Sequence, residues 1–449
     1  MNKNYYKIDN YKGIYYYNFI ENTLVEKSNL QKKITEEENI RKLKICQNNN
    51  QIIGKYILKK RKVLLLQVTQ SCNMRCKYCV YSDDYSRKPS DLFMSFDIAK
   101  KAVDMHFKHN VSSFSTNIGF YGGEPLLNFT LIKDIVNYIK NEYPCRFVYY
   151  NITTNATLFN EEIIDFFIDN KINVMISLDG PKNIHDNKRI DVNNEGTFDK
   201  VMDNIRFIKI KNKKYFNSHV SINSVTSNIY EQSLAEDFLI NKFKVKYSVG
   251  LISYSKKIKE LKINNLKIKK IENDIIRKSI ISLLEYRFNM PITYKTGIIN
   301  NRFLMKLKAI KGTLLKSNNV ENITKFHPKG QCIPSHTRCF IDVKGKIFPC
   351  EKTNELNDFL EIGNVYDDVN IRKATNVYNF AKYASCKCNE CWALHFCNFC
   401  VAKILESNFD NNVVDNYCVE IRKTTEIYLS ALIVLTKIFD SYYYKCIKF

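Results

Sequence analysis

The chain has 449 residues, 45% of them apolar, which excludes general disorder and leaves room for one large domain with one or two small ones. Its fifteen cysteines are an odd number, which excludes complete internal pairing, and no apolar run approaches the roughly 20 residues of a membrane-spanning helix. Lysine and arginine outnumber aspartate and glutamate by 69 to 46. The net charge of +23 suits either an acidic partner or, since Lys, Asn and Ile abound throughout, a solvated lysine-coated surface.

The first residues, Met1 to Tyr6, lack the apolar core of a signal peptide. A cytoplasmic location is expected, where thiols stay reduced and cysteine clusters mean metal more often than disulfide. Residues 1–60 read as a small N-terminal module, with a hairpin arm and Asn-containing turn over Tyr15–Asn22 and a charged helix over Glu36–Ile45. From 61 to 253, six strand-like runs follow: Val63–Thr69, Asn117–Tyr121, Arg146–Thr153, Asn173–Leu178, His219–Val225 and Tyr247–Ser253. Between them lie five helical patterns, at Phe96–His109, Leu131–Tyr143, Glu161–Asn170, Phe198–Ile210 and Glu231–Lys242. This alternation predicts an α/β fold of βα units around a parallel sheet, which right-handed crossovers curl into a partial (β/α)6, TIM-like barrel. Residues 254–330 read as a basic helical bridge, 331–420 as a cysteine-rich domain, and 421–449 as a C-terminal helix with a stripe of Tyr428, Leu429, Leu432, Ile433 and Leu435.

Cys72, Cys76 and Cys79 form a C-x3-C-x2-C triplet directly after the first barrel strand, on the rim where such barrels place their active sites. Three thiolates are one fewer than a closed zinc or iron–sulfur site uses, which leaves one coordination place for a small molecule. With Tyr78 just before the third cysteine, the triplet resembles that of the radical S-adenosylmethionine (SAM) enzymes. The resemblance implies that the three cysteines hold a 4Fe–4S cluster, that SAM chelates the fourth iron, and that its cleavage yields a 5′-deoxyadenosyl radical that abstracts hydrogen. Gly122-Gly123-Glu124-Pro125 resembles the family's GGEP motif, implied to hold the SAM amino group. Thr153–Thr157 resembles its T-T-N-G-T segment, bringing in Asn155, with Ala156 in place of glycine. Ser177, Asp179, Gly180 and Pro181, followed by His185 and Arg189, resemble S-x-D-G-P and its sequel. By that resemblance Ser177 and Arg189 contact the SAM ribose or carboxylate, while His185 reads as a loop histidine satisfying its neighbours.

The second block contains Cys332, Cys339, Gly345 and Cys350, then Cys386, Cys388, Cys391, Cys397, Cys400 and Cys418. Its C-x2-C spacings suit iron–sulfur or zinc, and Gly345 suits a turn between two short strands. The block resembles the SPASM domain, which implies two auxiliary 4Fe–4S clusters and so three clusters in all. Cys332, Cys339, Cys350 and Cys400 would hold one, and Cys388, Cys391, Cys397 and Cys418 the other, with Cys386 spare. Only two residues precede Cys400 where the family usually has three. His336 and His395 read as hydrogen-bonding neighbours, and Cys46, Cys145 and Cys446 stand alone.

Such radical SAM/SPASM enzymes include maturases of ribosomally made cysteine-rich peptides, of the sactipeptide and ranthipeptide kind. The resemblance implies thioether formation between a cysteine sulfur and a carbon, on a precursor peptide whose leader adds as a strand to the N-terminal hairpin. Electrons would come from a flavodoxin or ferredoxin, and Glu351, beside Cys350, is the candidate base for the substrate thiol. The alternative within the superfamily is an anaerobic sulfatase-maturating enzyme that makes formylglycine, with Asp342 the nearest candidate base. The alternative outside it is an iron–sulfur protein binding nucleic acid through its lysines, with steep salt dependence and no SAM cleavage. Neither membrane nor nucleic acid is the expected partner.

Overall fold

The computed structural model describes residues 5–10, 13–18, 23–29, 50–57, 61–81, 90–109, 115–227, 229–243, 245–251, 310, 312, 314, 332–379, 388, 390–397, 400–405 and 411–438. The expected helix at Glu36–Ile45, nearly all of the 254–330 bridge, and Cys46, Cys386 and Cys446 lie outside the described residues. The chain forms two compact units: Met1–Asn49 with Asn273–Cys332 and Tyr378–Phe449, and Asn50–Glu272 with Ile333–Val377.

The first unit begins with β1 (Tyr5–Asn10), β2 (Gly13–Asn18) and β3 (Thr23–Glu26), an antiparallel meander with β2 in the centre. The β2–β3 pair, closing at Asn18 opposite Thr23, is the expected hairpin. In strand β1, Tyr-Tyr-Lys-Ile-Asp-Asn, only Ile8 is a buried aliphatic. Ile8, Tyr15 and Tyr17 enter a core with Leu394, Phe396, Leu429 and Ile433. Tyr6 stacks on Trp392 with ring centres 3.7 Å apart, and its hydroxyl donates to Glu426 at 3.0 Å. The last described helix runs over Asn411–Ile438, beginning ten residues before the expected 421, so Cys418 lies on it.

The second unit holds β4 (Val63–Thr69), β5 (Ser115–Gly122), β6 (Phe147–Thr154), β7 (Asn173–Ser177), β8 (Val220–Thr226) and β9 (Lys246–Leu251), all parallel and in sequence order. Strict alternation is clearest in β8, where Val220, Ile222, Ser224 and Thr226 are buried and the residues between them are not. The connecting helices bury stripes at helical spacing, such as Leu131, Ile132, Ile135, Val136 and Ile139 in Phe129–Glu142. Asn160 caps helix Glu161–Asp169, its side chain accepting from the Ile163 amide at 2.9 Å, with Glu161 and Glu162 in the first turn where the helix dipole favours them.

The sheet does not end at β4. Strand β10 (Arg338–Ile341) pairs with it in parallel, placing Cys339 opposite Leu64, and β11 (Lys346–Phe348), β12 (Gly363–Asn364) and β13 (Asp368–Val369) continue antiparallel. A domain boundary at 331 is therefore replaced by a join, because the open edge of the first parallel strand supplies backbone partners that Cys339, Phe340 and Ile341 need. Similarly, helix Asn50–Ile57 belongs with the barrel, where a Cβ on Gly54 would lie 3.2 Å from Ile371. Gly345 has φ +83° in the β10–β11 turn, as its residue type suggested. Among the described residues, no helix is long and apolar enough to cross a membrane.

Candidate functional site

The C-terminal ends of β4 to β8 converge on the cysteine triplet. After β4 the chain crosses to the glycine loop after β5 through Gly123 N to Thr69 O (3.0 Å) and Glu124 N to Ser71 O (2.9 Å). The approach is too close for side chains: a Cβ on Gly122, at φ +143°, would lie 2.0 Å from Thr69 O, and one on Gly123 would lie 2.2 Å from Ser71 O. Only glycine fits either position.

Glu124 is 1% exposed. Its Oε1 accepts from the Leu126 amide (3.1 Å) and the Thr154 hydroxyl (2.7 Å), and its Oε2 accepts from the Asn155 amide (2.7 Å). The carboxylate thus fastens the loop after β5 to the loop after β6. Burial, opposed by these donors, raises its pKa from 4.5 to about 7. Asn155 Nδ2 donates to Asn73 Oδ1 (2.9 Å), and Asn73 Nδ2 to the Thr157 hydroxyl (2.8 Å), so a residue inside the triplet is tied to the β6 loop. Thr157 closes the Thr153–Thr157 segment read from the sequence, whereas Asn73 was missed, although it stands between two of the cysteines. Ala156 keeps φ +60°, the left-handed conformation of the glycine it replaces.

The third contact runs to the segment after β7. Arg75 N donates to Ile190 O (2.7 Å) and Lys77 N to Lys188 O (2.9 Å), a short two-point backbone clasp on the cysteine loop. Asp179, fully buried, accepts from the Tyr78 hydroxyl at 2.7 Å and pairs with Arg189 Nε at 3.1 Å, both through Oδ2, while its Oδ1 takes the Val225 amide at 2.9 Å. Arg189 Nη1 lies 3.9 Å from Cys76 Sγ. His185 meets its neighbours as expected, Nδ1 accepting from the Asp179 amide (3.3 Å) and Nε2 facing the Thr197 hydroxyl (3.0 Å). Ser177 is buried at the end of β7. The Lys188–Glu231 pair (2.8 Å), which with Val225 O anchors the same segment from behind, has no motif or spacing that marks it.

Cys72, Cys76 and Cys79 are each partly exposed, and Cys76 and Cys79 close a turn through Cys79 N to Cys76 O (3.0 Å). Burial pushes the Cys72 and Cys76 thiols up to about 12, and the triplet's members raise one another further. Among the described residues, no three His, Cys, Asp or Glu side chains are placed to share a single metal ion. Three thiolates on one loop are the donor set that a cube-shaped cluster would take, each on a different iron.

The second cysteine block is divided. Cys339 and Cys350 lie in the barrel unit, and Cys332, Cys388, Cys391, Cys397, Cys400 and Cys418 in the other. Cys339 is fully buried, and burial raises its thiol against the pull of the Arg61 guanidinium. Cys388, Cys391 and Cys397 are linked by successive turns: Cys391 N to Cys388 O (3.1 Å), Leu394 N to Cys391 O (3.0 Å) and Cys397 N to Leu394 O (3.2 Å). Cys332 is exposed, and Cys400 and Cys418 are partly so. His336 is a neighbour, its Nδ1 2.6 Å from Tyr56 O, and His395 is buried.

The two candidate bases differ. Asp342 caps the β10–β11 turn, Oδ1 accepting from the Lys344 (2.9 Å) and Lys346 (2.8 Å) amides, which occupies it structurally. Glu351 pairs with Arg338 at 2.5 Å through Oε1, while its Oε2 is buried and accepts no hydrogen bond among the described residues. A further network joins Gln67 to Tyr81 and to Glu355 (2.8 Å), and Tyr81 to Glu355 (2.9 Å); its members are too far apart in sequence for spacing to reveal.

The family model of the Radical SAM superfamily matches residues 66–229. A cysteine-type anaerobic sulfatase-maturating enzyme of Clostridium novyi (strain NT) is 26% identical over 397 residues, covering 85% of this chain and 98% of that protein. The radical SAM cyclopropyl synthase TigE of Paramaledivibacter caminithermalis is 26% identical over 272 residues, 56% of this chain and 54% of TigE. Among solved structures, native anSMEcpe with bound AdoMet superposes with a TM-score of 0.58 at 20% identity, covering 83% of this chain and 98% of that one, which shows a shared fold. This chain carries a radical SAM domain and is homologous to the anaerobic sulfatase-maturating enzymes and to SPASM-type modifiers such as TigE.

Proposed function

We propose that this chain uses SAM and a 4Fe–4S cluster on Cys72, Cys76 and Cys79 to modify a cysteine-bearing peptide, forming a thioether between the cysteine sulfur and a carbon. The observation that carries the thiol part of this reading is Glu351 Oε2, a buried carboxylate oxygen with no hydrogen-bond donor among the described residues, in an acid already held in place by Arg338. A substrate thiol would be the missing donor, and Glu351 would take its proton.

When bound, the cluster and SAM supply one-electron chemistry able to remove hydrogen from an unactivated carbon. The protein's own part is placement. Gly122 and Gly123 let the backbone come close, Pro125 opens the helical turn after them, and Glu124 with Asn155 locks two loops at the rim. Tyr78 and Asp179 hold Arg189 beside the triplet, and Ser177 closes the β7 end of the rim. In the C-terminal block, Cys388, Cys391, Cys397 and Cys418, all in one unit, would hold an auxiliary cluster. A leader segment of the precursor would add as a strand to the edge of the β1–β3 sheet, and a flavodoxin- or ferredoxin-type donor would supply electrons.

A second reading has its own support: the sulfatase-maturating relative is matched over 98% of its length. There the same Glu351 would serve a cysteine that becomes formylglycine. Anaerobic mass spectrometry of a cysteine-rich precursor and of a sulfatase-derived cysteine peptide, each incubated with the reconstituted enzyme, SAM and a reductant, decides between them. Thioether formation removes paired hydrogens and an alkylatable thiol while sulfur is retained. Formylglycine formation replaces sulfur by an aldehyde oxygen. No deoxyadenosine with either peptide, from protein with its clusters intact, would sink both readings.

A further inference from the structure

Arg189 lies in an unusual place for a residue implied only to touch SAM. Its side chain is 9% exposed, its guanidinium carbon sits 5.3 Å from the centre of the Tyr78 ring, and its Nη1 reaches to 3.9 Å from Cys76 Sγ. It cannot swing away easily. Asp179 Oδ2 is shared between Arg189 Nε and the Tyr78 hydroxyl, Asp179 Oδ1 is tied to the Val225 amide, and the backbone on either side of Arg189 is clasped to Arg75 and Lys77 of the cysteine loop. The result is a cation fixed next to a cluster ligand, with its counter-anion one step further back.

We propose that Asp179, Tyr78 and Arg189 form a fixed electrostatic clamp that sets the reduction potential of the cluster held by Cys72, Cys76 and Cys79. The proposal rests on the reading that these three cysteines hold a cluster, and it assigns Arg189 and Asp179 as positioning residues for electron uptake. The step is the transfer of one electron from an external donor, dithionite in the experiment below, to the oxidised cluster. No bond is made or broken, and the cluster gains one negative charge. A nearby cation stabilises the reduced form and a nearby anion opposes it, and in a buried site neither is strongly screened. Arg189 reaches to 3.9 Å from Cys76 Sγ, with Asp179 paired to its Nε, so removing the guanidinium leaves Asp179 to act alone.

The test is an anaerobic redox titration of the reconstituted full-length protein, followed by electron paramagnetic resonance. The relevant signal is the one that changes on adding SAM and is absent from Cys76→Ala. Arg189→Gln is expected to move its midpoint to more negative potential, lowering the reduced-to-oxidised ratio at fixed potential by tenfold or more, about 59 mV for one electron. Asp179→Asn is expected to move it the opposite way, and Arg189→Lys, which keeps the charge, to remain nearer the wild type. General loosening of the loop would not give shifts of opposite sign. Unchanged midpoints, or shifts in the same direction for Arg189→Gln and Asp179→Asn, would overturn the clamp while leaving the cluster assignment standing. Loss of iron and sulfide from both variants would also overturn it, by making the pair structural. A wild-type protein with no SAM-responsive signal would overturn the cluster reading and the clamp with it.

Discussion

The two cysteine regions use one local device in different surroundings. Cys76–Cys79 and Cys388–Cys391 each close the same tight turn, amide to carbonyl, at 3.0 and 3.1 Å. Around the first turn the supports are buried and polar or charged: Asp179, Arg189, Glu124, Asn155 and the Lys188–Glu231 pair. Around the second they are rings: Trp392 stacked on Tyr6, and Tyr17 5.4 Å from Phe396. Hydrophobic packing gathers a segment but leaves its electrostatics open, whereas a satisfied polar network fixes geometry and local charge together. The turn at the barrel rim is therefore fixed in both geometry and charge, and the C-terminal turn is held mainly by packing.

That contrast can be broken in several ways. The largest effect is expected from Cys76→Ala, which should abolish deoxyadenosine formation in an anaerobic chromatographic assay. Cys391→Ala should leave SAM cleavage in place while peptide modification is lost, and equal loss of cleavage in both variants would erase the distinction. Tyr17→Ala removes a fully buried ring and should cost about 3–5 kcal/mol in a denaturant titration, in the unit built on aromatic packing.

Next comes pH. Folding prefers the protonated form of Glu124, so its contribution is fully present below about 4.5 and is lost as pH rises through about 7, roughly 3 kcal/mol in all. His106 is buried in helix Phe96–His109, its Nε2 2.6 Å from the Thr116 hydroxyl. His185 and His106, lowered by burial to about 4 and about 3, act in the other direction, because their contribution is lost as pH falls below 6.5. Glu124→Gln should therefore make stability rise more steeply between pH 4.5 and 7 than in the wild type, and an unchanged profile would show that the buried carboxylate is not the source. The smallest effect is expected at Ala156, whose φ of +60° suits glycine better. Ala156→Gly should stabilise the protein by roughly 0.5–1 kcal/mol in a thermal melt, and a loss would mean that the methyl group contributes more by packing than it costs in strain.

The six parallel strands were legible because each is a short apolar run of the length a buried strand takes, bounded by turn residues, and each lies within two residues of its expected place. Of β10 to β13, two to four residues each, β10 and β11 showed only through Gly345 at the turn between them and β12 and β13 not at all, and the parallel pairing of β10 with β4 is a non-local fact. The cysteine clusters stood out from spacing and Gly122 and Gly123 from a motif resemblance, and the structure gives the two glycines their physical reason, a backbone approach that leaves no room for a Cβ. Asp179 and Arg189 stood out only by resemblance, and their mutual pairing did not, because a sequence does not say which charge faces which. Gln67, Tyr81 and Glu355 were invisible for the same reason, joined across 274 and 288 positions.

The pairing of β10 with β4 also has a consequence during synthesis. Strand β4 leaves the ribosome early, but its outer edge has no partner until residues 338–341 arrive, about 270 residues later. At roughly 5–20 residues per second, that edge stays bare for on the order of tens of seconds. A bare, apolar parallel strand is a template for pairing with another nascent chain. Output of this protein should therefore depend on chaperone supply and on the tempo of translation across the long stretch between the two strands.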